Sequence, residues 1–88
     1  MSSTQTTSLV KIRWVDASSH GGPGWVDLED AQEFAHQPCP IMETVGHVLY
    51  EVNDPRDGYI VLTDTLGDGE CASVHKVPYV MIIERTSL

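Results

Sequence analysis

Four histidines and two cysteines are the side chains of this 88-residue chain best suited to chemistry. Cys71 and His75 stand two pleats apart on what reads as one strand face, and Cys39 and His47 lie in a preceding segment, so a two-cysteine, two-histidine zinc set is conceivable. Structural zinc sites draw on close pairs such as C-x2-C, and neither cysteine has such a neighbour. The expectation is therefore reduced, partly buried thiols and surface imidazoles, with no metal and no cofactor. A Cys39–Cys71 disulfide is left open. Asp64, Asp68 and Glu70 in DTLGDGE offer oxygen ligands around glycines, but their spacing fits no EF-hand loop and reads as an inter-strand turn. Ser18 or Ser19 beside His20 is the one local pairing of nucleophile and base. Adjacent residues rarely orient that way, and no G-x-S-x-G frame supports them, so the chain is read as not an enzyme. The remaining constellation is aromatic. Trp14 and Trp25 flank the segment Asp16–Gly24 (DASSHGGPG), with His20 between them, and Trp14, Asp16, His20 and Trp25 form the candidate ligand- or partner-binding set. Trp14 falls on the apolar face of its strand and also suits a core position.

These residues need elements to hold them. Leu9–Val15 alternates Val10, Ile12 and Trp14 against Lys11 and Arg13, the pattern of a half-buried strand. The Gly/Pro-rich loop follows, and binding residues often sit on such loops. Asp27 as N-cap, Glu29 and Asp30 in the first turn, and a possible Val26–Ala31 staple introduce a helix from Leu28 to about His36. Leu28, Ala31 and Ala35, with Phe34 adjacent, make one apolar stripe, and Pro38 and Pro40 stop the helix. That stripe is expected to lie on the hairpin Met42–Thr65. In the hairpin's first strand, Met42, Thr44, Gly46, Val48, Tyr50 and Val52 share the more apolar face. Pro55 and a positive φ at Gly58 reverse the chain, and Gly46 marks a bend. Tyr59–Thr65 returns, Leu66–Glu70 turns, Cys71–Val77 forms another strand, Pro78 and Tyr79 break the ladder, and Val80–Arg85 closes. The expected fold is mainly β (α+β): a small antiparallel, partly open SH3-like barrel or meander of about five strands, with one short α-helix after the first strand. Met1–Ser8 reads as a disordered leader and residues 9–88 as a single small domain.

A net charge of −8 and only five Lys and Arg argue against nucleic-acid or anionic-membrane binding. Mimicry of nucleic acid would require the carboxylates to line one face. No apolar run is long enough to span a bilayer and no signal-peptide pattern is present, so a cytoplasmic location is expected. So short a chain buries a small core, which makes self-association a natural remedy for marginal stability.

The pattern W-V-D-A (Trp14–Ala17), G-W (Gly24, Trp25), T-V-G (Thr44–Gly46), Y-I-V-L (Tyr59–Leu62) and V-P (Val77, Pro78) resembles short phage- and prophage-encoded proteins over most of the chain from Val10 to Ile83. The resemblance implies a phage origin, hence host-cell cytoplasm, and a small β-rich fold; it transfers no activity. The hairpin is similar in rhythm to the central strands of Sm-like and SH3-like barrels, without the glycine and aspartate-asparagine signature by which Sm proteins hold RNA. Two functions follow as expectations. The first is a non-enzymatic interaction protein that forms a homo-oligomer or binds a host protein through its β-edge and the Trp14–Trp25 loop. The alternative is a small-molecule-binding protein that sequesters a nucleotide-like ligand near that loop or between subunits.

Overall fold

The computed structural model describes residues 8–88. The leader expected over Met1–Ser8 lies outside the described residues except for Ser8, whose carbonyl accepts a hydrogen bond from Val48 N at 2.8 Å. The elements run β1 (Leu9–Val15), α1 (Leu28–Ala35), β2 (Ile41–Val52), β3 (Tyr59–Leu66), β4 (Cys71–Pro78), a 3-10 turn (Tyr79–Met81) and β5 (Ile82–Ser87). All strand pairs are antiparallel, in one open sheet ordered β4-β3-β2-β1-β5. The mainly β class with one short helix after the first strand is thus the observed one.

Alternation along β1 sends Val10 and Ile12 inward, and both are fully buried. With Ile60, Leu62 and Val77 they form the core, against which Trp14, Val48, Tyr79 and Ile82 pack. Every one of these residues comes from a strand or the 3-10 turn, so the sheet curves over its own side chains. Three irregularities permit the curvature. Gly46 is buried where β2 crosses β3, and an added Cβ would stand 2.8 Å from the Thr63 carbonyl oxygen and 3.2 Å from Leu62 Cβ, so only glycine fits this approach. The register of β1 against β5 slips between Arg13 and Trp14. The register of β2 against β3 slips between Val48 and Tyr50, leaving Leu49 as an extra residue in a bulge.

The Leu49 bulge overturns the expected single apolar face of β2. Val48 pairs with core Leu62, but beyond the bulge Glu51 pairs with core Ile60, while Tyr50 and Val52 pair with Val61 and Tyr59 on the opposite face. There the Tyr50 and Tyr59 rings lie 6.2 Å apart and Lys76 Nζ sits 4.9 Å over the Tyr59 ring.

The β2–β3 turn is organised by Asp54, whose Oδ1 accepts from Arg56 N at 2.8 Å and Asp57 N at 3.1 Å. Those two bonds hold the Asp54 carboxyl below its ordinary value. Gly58 does not supply the expected positive φ, which among the described residues falls at Gly21, Gly22, Gly69 and Ser73. It is glycine because a Cβ would collide with the Val52 and Asp54 carbonyl oxygens. Gly58 N donates to Asp54 O at 2.8 Å, and Gly58 O accepts from Tyr79 N at 3.0 Å, which ties the hairpin turn to the 3-10 turn.

Helix α1 departs most from expectation. None of its residues is buried, so its stripe does not bury itself on the hairpin. Among the described residues no helix is long and apolar enough to cross a membrane.

Candidate functional site

Residues 16–40 leave the sheet between β1 and β2 as an arm. Its base is closed by the last strand pair, Val15 with Ile41, and by a hydrogen bond from Asp16 N to Pro40 O at 2.9 Å. Asp16 Oδ1 accepts from Ala17 N at 2.8 Å, which fixes the first residue of the arm at this base. Gly21 and Gly22 turn the outgoing leg through positive φ values of 85° and 58°. The Val26 side chain fills the place a Gly21 Cβ would take, so Val26 packs on the loop. Asp27 occupies the N-cap position, where its carbonyl accepts from Ala31 N at 3.0 Å; its carboxylate caps nothing. The return leg carries Pro38 and Pro40 on either side of Cys39, which fixes two φ angles.

The loop is held to the helix by His20, whose ring stacks on Phe34 with centroids 5.1 Å apart and planes 20° from parallel. Asp30, Glu33 and Gln37 stand around that stack and line a shallow hollow with it. A second, more apolar groove runs under the helix C-terminus between Ala17 and Ser18 on one leg and Pro38, Cys39 and Pro40 on the other. Beyond these contacts the arm is bare. Trp25 is fully exposed, Leu28 is 74% exposed and Val26 is exposed.

No family model, no curated protein and no solved structure matches this chain. What the arm can do is therefore read from its own surface.

The four residues singled out by sequence do not share one environment. Trp14 packs against the core and donates its indole N–H to Thr44 Oγ1 at 3.0 Å, whereas Trp25 projects into solvent. His20 is committed to Phe34 and Asp16 to the base of the arm. Both cysteines are free and, against the expectation of partial burial, exposed. Among the described residues no three His, Cys, Asp or Glu side chains come together as a metal group. His75 instead faces Asp64, Nε2 to Oδ1 at 3.6 Å. In the DTLGDGE segment Asp64–Leu66 end β3, and residues 67–70 make the turn, closed by Gly67 N donating to Glu70 O at 2.7 Å, with Gly69 at φ 78°.

A polar cluster that the sequence does not announce lies on the concave side, where side chains of β2 and β5 reach each other across β1. The bulge turns Glu51 to the concave side, and the β1–β5 register puts Arg85 there beside core Ile12. Arg85 grips Glu51 with two bonds, Nη1 to Oε2 at 2.8 Å and Nη2 to Oε1 at 2.9 Å. The Tyr79 hydroxyl donates to the same carboxylate and lies 3.2 Å from Asn53 Oδ1. The Arg85 hydrogen bonds lower the Glu51 carboxyl, while desolvation and the Glu51 carboxylate raise the Tyr79 phenol. Arg85 and Tyr79 both bond the Glu51 carboxylate, so the cluster is a latch across the concave face.

Proposed function

We propose that this chain is a small acidic, non-enzymatic interaction protein of the phage type, acting in the host-cell cytoplasm through the arm of residues 16–40. It self-associates or engages a host protein. The observation that carries this reading is the arm itself: a helix with an apolar stripe, preceded by a fully exposed tryptophan, none of which is buried against the chain's own sheet. An eight-residue helix gains too little from its backbone alone to be a stable end in itself, and such a stripe gains free energy when a second surface covers it. Exposed tryptophan is enriched at the energetic centres of interfaces. The alternative of a flat, nucleotide-like ligand clamped by two indoles has less to rest on, because the Trp14 indole is occupied by Thr44 and the core.

The test uses Trp25 as reporter. In a Trp14→Phe variant Trp25 is the one remaining indole. Its fluorescence should be strongly quenched by acrylamide in dilute protein and protected as concentration rises or a host partner is added. Light scattering supplies the mass in parallel. Unchanged quenching at every concentration and with host extract, together with binding of a nucleotide in a thermal-shift screen, would reverse the assignment.

A further inference from the structure

Resting on the interaction reading, we infer that the surface covering the arm is the outer face of β1 and β2 in a second copy of this chain, joined head to tail.

The arm and that face are complementary in both charge and apolarity. Between Asp16 and Pro40 there are five carboxylates and no Lys or Arg. Glu29, Asp30 and Glu33 lie on α1 itself, and among the described residues none of them is in an ion pair. The sheet's cations are divided differently. Arg85 is engaged by Glu51 on the concave side and Lys76 sits over Tyr59, which leaves Lys11 and Arg13 as the strand cations without a charged or aromatic partner among the described residues. Both lie on the outer face of β1, opposite the core residues Val10 and Ile12. Arg13 stands between Glu43 and Glu84 on the neighbouring strands, whereas Lys11 stands between Val45 and Thr86 with no acid directly across.

The apolar residues complete the match. Leu9, Val45 and Ile41 share the outer face with Lys11 and Arg13 and are exposed, Val45 at 45% and Ile41 at 53%. Leu28 and Trp25 on the arm are the side chains able to cover them. A like-on-like pairing of two arms would set carboxylates against carboxylates, which is costly in a desolvating contact. An arm-to-sheet contact sets the arm's carboxylates against Lys11, which has no acid directly across, and against Arg13 between Glu43 and Glu84; joined head to tail it is heterologous, so it propagates to rings or filaments.

The experiment is a charge exchange read by sedimentation velocity and light scattering at low salt. The pair Lys11→Glu with Arg13→Glu alters the sheet, and the pair Glu29→Lys with Asp30→Lys alters the arm. The quadruple variant carries both exchanges and keeps the parent net charge of −8. Parent protein should grow past the dimer with concentration and dissociate as salt rises. Each half-exchange should weaken association by about tenfold or more, and the quadruple variant should recover it. A urea midpoint for each variant confirms folding. Association that both half-exchanges leave intact would overturn this contact while leaving self-association standing, through a sheet edge. A single-chain mass at every concentration would overturn the contact and the self-associating half of the function together, and Trp25 shielded within that monomer would show the arm folded onto its own sheet.

Discussion

Removing the Glu51 carboxylate tests whether the latch across the concave face contributes to stability. In the Glu51→Gln variant Arg85 keeps a polar neighbour but loses its charge partner, and Tyr79 loses an anionic acceptor. Fully exposed pairs contribute about 0.2–1 kcal/mol, and hydrogen bonds to charged groups about 1.5–3 kcal/mol. The Arg85 side chain is 38% exposed and Glu51 22%, so solvent screening places the Glu51–Arg85 coupling near the top of the exposed range, about 1 kcal/mol. A double-mutant cycle with Arg85→Met, measured by urea denaturation, isolates that coupling. For a domain of this size about 1 kcal/mol corresponds to ~5 °C in Tm. The pH dependence carries the sign. The folded Glu51 carboxyl sits below its ordinary 4.5, chiefly through the Arg85 hydrogen bonds. Its contribution is complete above 4.5 and disappears as pH falls through the depressed folded value. The difference between parent and Glu51→Gln should therefore be largest near neutrality and shrink in acid. At the other end the Tyr79 phenol is raised above its ordinary 10.0, so its contribution is complete below 10.0 and lost as pH climbs through the raised value. A coupling within about 0.3 kcal/mol of zero, or a parent–variant difference that stays constant from pH 7 to pH 3, would refute the latch.

Gly46→Ala should cost about 2–3 kcal/mol in urea denaturation, because its Cβ meets the Thr63 backbone 2.8 Å away and backbone cannot step aside. Gly24→Ala, with nothing within 4 Å, should stay within about 0.5 kcal/mol of the parent. Both cysteines should react with Ellman's reagent in native protein without denaturant, since both are free and exposed; two protected thiols would mean that another surface covers them.

Most of the sheet was legible because local pattern and tertiary demand agree. The alternation of Leu9–Val15 gave that strand its true limits, and the Asn/Asp/Pro/Gly cluster before Tyr59 marked the hairpin turn. Pro78 stops β4 at the point where its backbone would need a donor, and the 3-10 turn follows. Where expectation failed, the deciding contact was remote. Nothing near Leu49 signals a bulge, so strict period two carried Tyr50 and Val52 onto the wrong face and hid the inward turn of Glu51. The Arg85 partner is set by a register against β1, which no local spacing encodes. Helix α1 is legible from Asp27 and the two prolines that end it, but an apolar stripe does not encode which surface it faces, and in the fold that surface is not the hairpin. His20 stands out in sequence by its Gly-rich loop, whereas its role in the fold, fastening that loop to Phe34, depends on a ring 14 residues away.

The closed base of the arm has an evolutionary consequence. With Val15 facing Ile41 and Asp16 N bonded to Pro40 O, β1 and β2 meet as they would in an ordinary hairpin, and residues 16–40 are a cassette in its turn. The entropy of closing a loop rises only by about 0.6 kcal/mol for each doubling of its length, so cassettes of other lengths and sequences are cheap to accommodate. Selection can therefore rewrite the cassette while the five strands, and the core they enclose, stay as they are.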